Sequence, residues 1–180
     1  MKRMETNNKM NATIQILSVK TEEGLRQIAG LASSIWAEAY AEILTKEQID
    51  YMLKMMYDLP VLKHEMEEED MQFRLICDGD VPVGFFAYAP YPGKPGAVKL
   101  HKLYLDSTYH GRGIGSLALR YVSDACREAG YKTLYLNVNK QNARALKAYE
   151  RNGFVCCEKV VNDIGNGFVM DDFVMKKVLK

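Results

Sequence analysis

Apolar residues alternate weakly from Ala12 to Val19, with Ile14 and Ile16 on one face, and predict a first strand. Thr21 then caps a helix over 22–39, where Leu25, Ile28, Ala29, Ala32, Ile35 and Trp36 fall at helical spacing. Thr45-Lys-Glu-Gln48 is a capping box, and Ile49, Met52, Leu53 and Met56 give the apolar face of the second helix that it opens. Pro60 suits the first turn of a third helix reaching about Glu69. The acidic run from Glu65 to Asp70 reads as a solvated face. Met71–Cys77 and Val81–Ala89 form a hairpin around Asp78-Gly79-Asp80.

The pattern then changes. Val98, Leu100, Leu103 and Leu105 place apolar residues on both faces of one strand, as in a strand covered on both sides, and the step from 100 to 103 is compatible with a bulge. A helix follows, with Ile114, Leu117, Ala118, Tyr121, Val122, Ala125 and Ala129 at spacings of three and four and Gly130 as its stop. Next come a strand over 133–138, a short helix over 142–152 and a stop at Gly153. Phe154–Val161 and Phe168–Val178 read as closing strands joined by Asn162-Asp-Ile-Gly-Asn-Gly167. Residues 1–11 read as a loose tail and 12–180 as one domain.

Between the central strand and the helix at Ile114 lies His110-Gly-Arg-Gly-Ile-Gly-Ser116. Glycines let a ligand approach the backbone closely. The first N–H groups of the helix point into the turn without intrahelical partners, so a phosphate or pyrophosphate is the expected guest. The turn alone does not name the ligand. No Lys follows Gly115, as a P-loop requires, and Ser116 stands where a dinucleotide fingerprint needs its third glycine.

Composition narrows the partners. The chain has 180 residues and a net charge of +1 from 24 basic and 23 acidic side chains, which gives no reason to expect nucleic acid. No run is long enough to span a bilayer, and the polar N-terminus lacks the apolar region of a signal peptide. Cys77, Cys126, Cys156 and Cys157 lack metal-ligand spacing. A reduced, cytoplasmic protein without a metal is the expectation.

His110-Gly-Arg-Gly113-Ile-Gly115 resembles the pyrophosphate turn, Gln/Arg-x-x-Gly-x-Gly/Ala, of the GCN5-related N-acetyltransferase (GNAT) family, with His in place of Gln or Arg. Asn142, Ala145, Tyr149, Gly153 and Phe154 match that family's later signature. The resemblance implies an α/β fold: a mixed, mostly antiparallel sheet with a splayed central strand pair and helices on both faces. It also implies acetyl-CoA as co-substrate and acetyl transfer to a primary amine in a ternary complex. The acceptor would be a small-molecule amine or a protein or peptide amine, and homodimers are common among such domains.

By this resemblance, the backbone of Leu103, Tyr104 and Leu105 would pair with the pantetheine arm. His110, Gly111, Arg112, Gly113, Ile114, Gly115 and Ser116 would surround the pyrophosphate. Asn142 would contact the cofactor arm, cap its own helix, or both. Tyr149 falls where the family places an acid near the thioester sulfur, although a core aromatic would satisfy the same pattern. Some members carry a Glu base at the position of Lys99; His101, two residues on, is the candidate base here, or else a structural histidine. Trp36, Glu38, Tyr40, Gln48, Tyr51 and Met52 from the first two helices, with Asp171 and Asp172 from the last strand, would frame the acceptor pocket. Two other classes stay open: a non-catalytic acyl-CoA-binding or regulatory module, and a nucleotide-binding α/β protein.

Overall fold

The computed structural model describes residues 14–180. The expected tail at 1–11, and the start of the first strand at Ala12, lie outside the described residues. The elements run β1 (Ile14–Ser18), α1 (Glu22–Ala39), α2 (Lys46–Tyr57), α3 (Leu59–Glu68), β2 (Gln72–Asp78), β3 (Val81–Pro90), β4 (Ala97–Leu105), α4 (Ile114–Glu128), β5 (Thr133–Asn139), α5 (Ala143–Arg151), β6 (Val155–Gly165) and β7 (Phe168–Val178). Thr21 and Thr45 both cap as expected, accepting from the N–H of Gly24 and Gln48. No helix of the described residues is long and apolar enough to cross a membrane.

The seven strands form one mixed sheet in the order β1-β2-β3-β4-β5-β7-β6. Every neighbouring pair is antiparallel except β4 and β5. One face packs on α1–α3 through Leu25, Ile28, Trp36, Phe73 and Phe85. The other packs on α4 and α5 through Phe86, Leu100, Leu119, Leu134 and Phe154. The expected α/β class, mostly antiparallel with helices on both faces, is the observed one.

Two features place the cleft. The parallel β4–β5 ladder runs only from Ala97↔Thr133 to Leu100↔Leu136, after which the strands part. The β3–β4 ladder steps from Tyr88↔Leu100 to Ala87↔Lys102, which makes His101 the extra residue of a bulge. The bulge explains why apolar residues change parity between Leu100 and Leu103. Gly84 sits opposite Leu105, where any Cβ would lie 2.6 Å from the Tyr104 carbonyl oxygen, so glycine permits close strand approach at the splay.

Two sequence expectations need correction. Lys102 is 3% exposed, and its Nζ donates to both carboxylate oxygens of Glu65, at 2.7 and 2.8 Å. Glu65 therefore leaves the solvated acidic face and serves as the counter-charge that a buried ammonium requires. The strand expected to end at Val161 runs on to Gly165, because the reversal needs only Asn166-Gly167, both with positive φ. Asn-Gly is the strongest two-residue hairpin signal, and it was present in the sequence.

Candidate functional site

The parted strands open a cavity of about 880 Å³ that runs through the sheet from the first turn of α4 to the inner wall of α1 and α2. At the α4 end the sequence dictates the shape. Gly111 and Gly113 adopt φ of +76° and +78°, and Gly113 is the N-cap. The first intrahelical bond of α4 runs from the Leu117 N–H to the Gly113 carbonyl at 3.0 Å. The N–H groups of Ile114, Gly115 and Ser116 are thus outside the helix ladder. A Cβ at Gly111, Gly113 or Gly115 would meet nothing within 4 Å, so the space before these N–H groups is open.

His110 also lines this end, but its ring has a structural task. Nε2–H donates to the Leu105 carbonyl at 2.8 Å and ties the turn to the end of β4. Arg112 lies over the Tyr109 ring at 4.8 Å and does not line the cavity, so only its backbone belongs to the turn. The Asn152 amide donates to Ser116 Oγ at 3.0 Å and holds α5 against the first turn of α4.

Leu103, Tyr104 and Leu105 line the middle. On one side they pair with Phe86, Phe85 and Gly84; on the other, no β5 residue pairs with them. Their side chains enter the two cores, so the core reading and the main-chain reading hold together. Asn142 both caps α5, accepting from the Ala145 N–H at 3.1 Å, and lines the cavity. Tyr149 packs its ring edgewise on Phe154 at 5.8 Å and faces the cavity as well. Burial pushes its hydroxyl well above the usual tyrosine range, so it keeps its proton at neutral pH.

The far half is walled by Trp36, Glu38, Tyr40, Gln48, Met52 and Asp172. The Tyr40 and Tyr104 hydroxyls are 3.2 Å apart. Asp172 is 3% exposed, burial pushes its carboxyl up, and it forms no ion pair among the described residues. Asp171, by contrast, is ion-paired with Lys140. Tyr51 does not line the cavity. Its hydroxyl donates to the Ile164 carbonyl at 2.6 Å and its ring packs on Phe168 at 5.4 Å, so it clasps α2 to the β6–β7 turn. Gln48 adds a bond to the Val169 carbonyl at 3.0 Å.

Lys99, Asn137 and Asn139 also line the cavity and were not picked out from the sequence as pocket residues. The signal was the strict alternation of Leu134-Tyr-Leu-Asn-Val-Asn139, which puts Tyr135, Asn137 and Asn139 on the face opposite the buried Leu134, Leu136 and Val138.

His101 lines the cavity from the bulge. Burial, with the Lys99 and Lys102 charges, pushes its ring down to about 4 from an ordinary 6.5. Above pH 6.5 the ring is neutral in both folded and unfolded chains. As pH falls, the unfolded ring takes up a proton first, so stability is lost between 6.5 and about 4. The loss should approach about 3 kcal/mol over that window. Urea melts at pH 7 and pH 4.5 should show His101→Gln losing about 2–3 kcal/mol less than the wild type. Equal losses would remove the histidine from the account.

The fold has counterparts of known structure. A PaiA N-acetyltransferase from Thermoplasma acidophilum in complex with coenzyme A superposes with a TM-score of 0.76 over 92% of this chain and 99% of that one, at 23% identity, a likeness of fold. In sequence, the streptothricin acetyltransferase of Streptomyces lavendulae is 30% identical over 93 residues, 52% of this chain and 49% of that protein. The spermine/spermidine N(1)-acetyltransferase of Bacillus subtilis is 33% identical over 86 residues, 44% of this chain and 56% of that protein. The chain thus spans about half the length of these curated relatives. The model of the acetyltransferase (GNAT) family matches residues 33–154, from within α1 through the glycine turn to Phe154. The chain belongs to the acetyltransferase (GNAT) family.

Proposed function

We propose that this protein transfers an acetyl group from acetyl-CoA to a primary amine, both bound at once in the cavity through the sheet. The observation that carries this reading is the parting of β4 and β5 after Leu100 and Leu136, which joins an anion cradle to a carboxylate-bearing pocket. The residues present fit acetyl-CoA. The α4 N–H groups suit its pyrophosphate, and the backbone of Leu103–Leu105 without a β5 partner suits the amides of its arm. Exposed Arg144 and Arg151 at the cavity edge add positive charge.

Acetyl-CoA supplies an acetyl group already activated as a thioester. A new carbon–nitrogen bond forms as the carbon–sulfur bond breaks, and an ammonium substrate releases one proton overall. Asp172 holds the ammonium and takes its proton. Its raised pKa brings it nearer to a useful base than an ordinary carboxylate. His101, pushed down to about 4 from an ordinary 6.5, is a poorer base than a free imidazole. A backbone N–H near Leu105 faces the developing oxyanion, and Tyr149 protonates the departing sulfur. The names of the two relatives above, for streptothricin and spermine/spermidine, support a small-molecule amine as acceptor.

The test is free-thiol release from acetyl-CoA across an amine panel. Tyr149→Phe should lower kcat by about 10²–10⁴-fold, the usual contribution of one positioned acid, with acetyl-CoA affinity nearly unchanged. A kcat retained within about threefold would take the tyrosine out of the mechanism.

A further inference from the structure

We infer that the acceptor is a compact amine that also carries an anionic group, as an amino acid does. The inference rests on the acetyl-transfer reading and adds the acceptor's class to it.

The acceptor half of the cavity contains two inward charges of opposite sign, Asp172 and Lys99. Asp172 is nearly inaccessible and Lys99 is half-buried. Neither forms an ion pair, with each other or with any described residue. Lys102 shows the contrast: it lines the same cavity, and Glu65 neutralises it. Glu38 lies exposed at the edge.

The two charges attract each other across the cavity without touching: Lys99 sits opposite Tyr135 and Asp172 opposite Asn139, four residues apart along β5. Asp172 lines the cavity together with Tyr149 and with Tyr40 and Tyr104, whose hydroxyls are 3.2 Å apart. This is the reacting end. Lys99 reaches over the Tyr91 ring at 5.4 Å, and Lys94 lies over the same ring at 5.1 Å and over Tyr135 at 4.6 Å. Lys94 and the two rings lie beyond the cavity lining, so Lys99 is the cation that the cavity itself presents there, with Lys94 behind it. Lys99 and Asp172 share one face of the sheet, opposite Tyr135 and Asn139 of β5.

Desolvated charges that attract each other without making an ion pair remain costly, and a ligand bearing the complementary pair between them offsets both costs at once. An amino acid places its amine by Asp172 and its carboxylate by Lys99. A polyamine would bring a second positive charge toward Lys99 and Lys94. A simple apolar amine would leave Lys99 without a counter-charge. Burial lowers the Lys99 ammonium pKa, and the Asp172 charge opposes that shift only in part.

The experiment compares each amino acid with its own decarboxylated amine: phenylalanine with phenethylamine, leucine with isoamylamine and lysine with cadaverine, with spermidine alongside. The readout is kcat/KM from thiol release at saturating acetyl-CoA. The acid-bearing member should be preferred by at least about tenfold, the scale of one charge-assisted hydrogen bond. Lys99→Met should bring that ratio to within about threefold of one, and Lys99→Arg should keep it above that level. A preference for the decarboxylated members or for spermidine overturns the inference, as does a ratio unmoved in Lys99→Met. If Lys99→Met does not fold, the wild-type ratio decides alone. Acetyl-CoA binding without thiol release on any amine overturns the acetyl-transfer reading itself, and this inference falls with it.

Discussion

Gly113→Glu should weaken acetyl-CoA binding by at least about 100-fold, or roughly 2.7 kcal/mol. Two physical effects add. Gly113 sits at φ +78°, where a residue with a Cβ loses about 1–2 kcal/mol. The new carboxylate also enters the space before the free N–H groups of α4, which the pyrophosphate would otherwise fill. Gly113→Ala separates the two effects. It carries the backbone cost without the charge and should lose no more than about tenfold. Calorimetric titration with acetyl-CoA, alongside far-ultraviolet circular dichroism, reads both variants. Equal losses in Ala and Glu would mean that backbone strain, and not an anion cradle, governs the position. Wild-type affinity in Gly113→Glu would remove the cradle from the proposed function.

The cradle was legible in the sequence because its physics is local. Three glycines, a missing Cβ and an uncapped helix start are all contained within His110–Ser116. The helices were legible for the same reason, through caps at Thr21 and Thr45 and apolar spacing. The parting of β4 and β5 was not legible from residue patterns, since Leu136 and Val138 are both buried on either side of the point where pairing stops. Only the family resemblance implied it. Glu65 was misread because its neighbours Glu67, Glu68 and Glu69 do face solvent or its border. A helical face is set by its spacing, and the one acid turned toward β4 looks like the others in a run. Tyr51 was misplaced by a related limit. Helix spacing put it beside the pocket wall, but the partner that claims its hydroxyl is more than a hundred residues away, at Ile164.

Asp172→Asn should lower kcat/KM for the amine by at least about 100-fold while leaving acetyl-CoA affinity intact. The amide keeps the size of the side chain and removes the only inward carboxylate of the acceptor half among the described residues. An ammonium then meets only the exposed Glu38 at the edge, and the remaining inward base is His101, which is held near 4. The same substitution should not cost stability. Burial raises the Asp172 pKa, so at pH 7 the ionised carboxylate is less favourable in the folded chain than in the unfolded one. Asparagine removes that penalty, and the variant should melt at or above the wild-type temperature. Loss of turnover with retained or raised Tm is what distinguishes a charge kept for chemistry from one kept for structure. A variant that loses both would make Asp172 a structural residue, and the proton would then have to leave through His101 or solvent. The two outcomes differ in sign on one thermal melt, and the chemical assignment of the acceptor half turns on that sign.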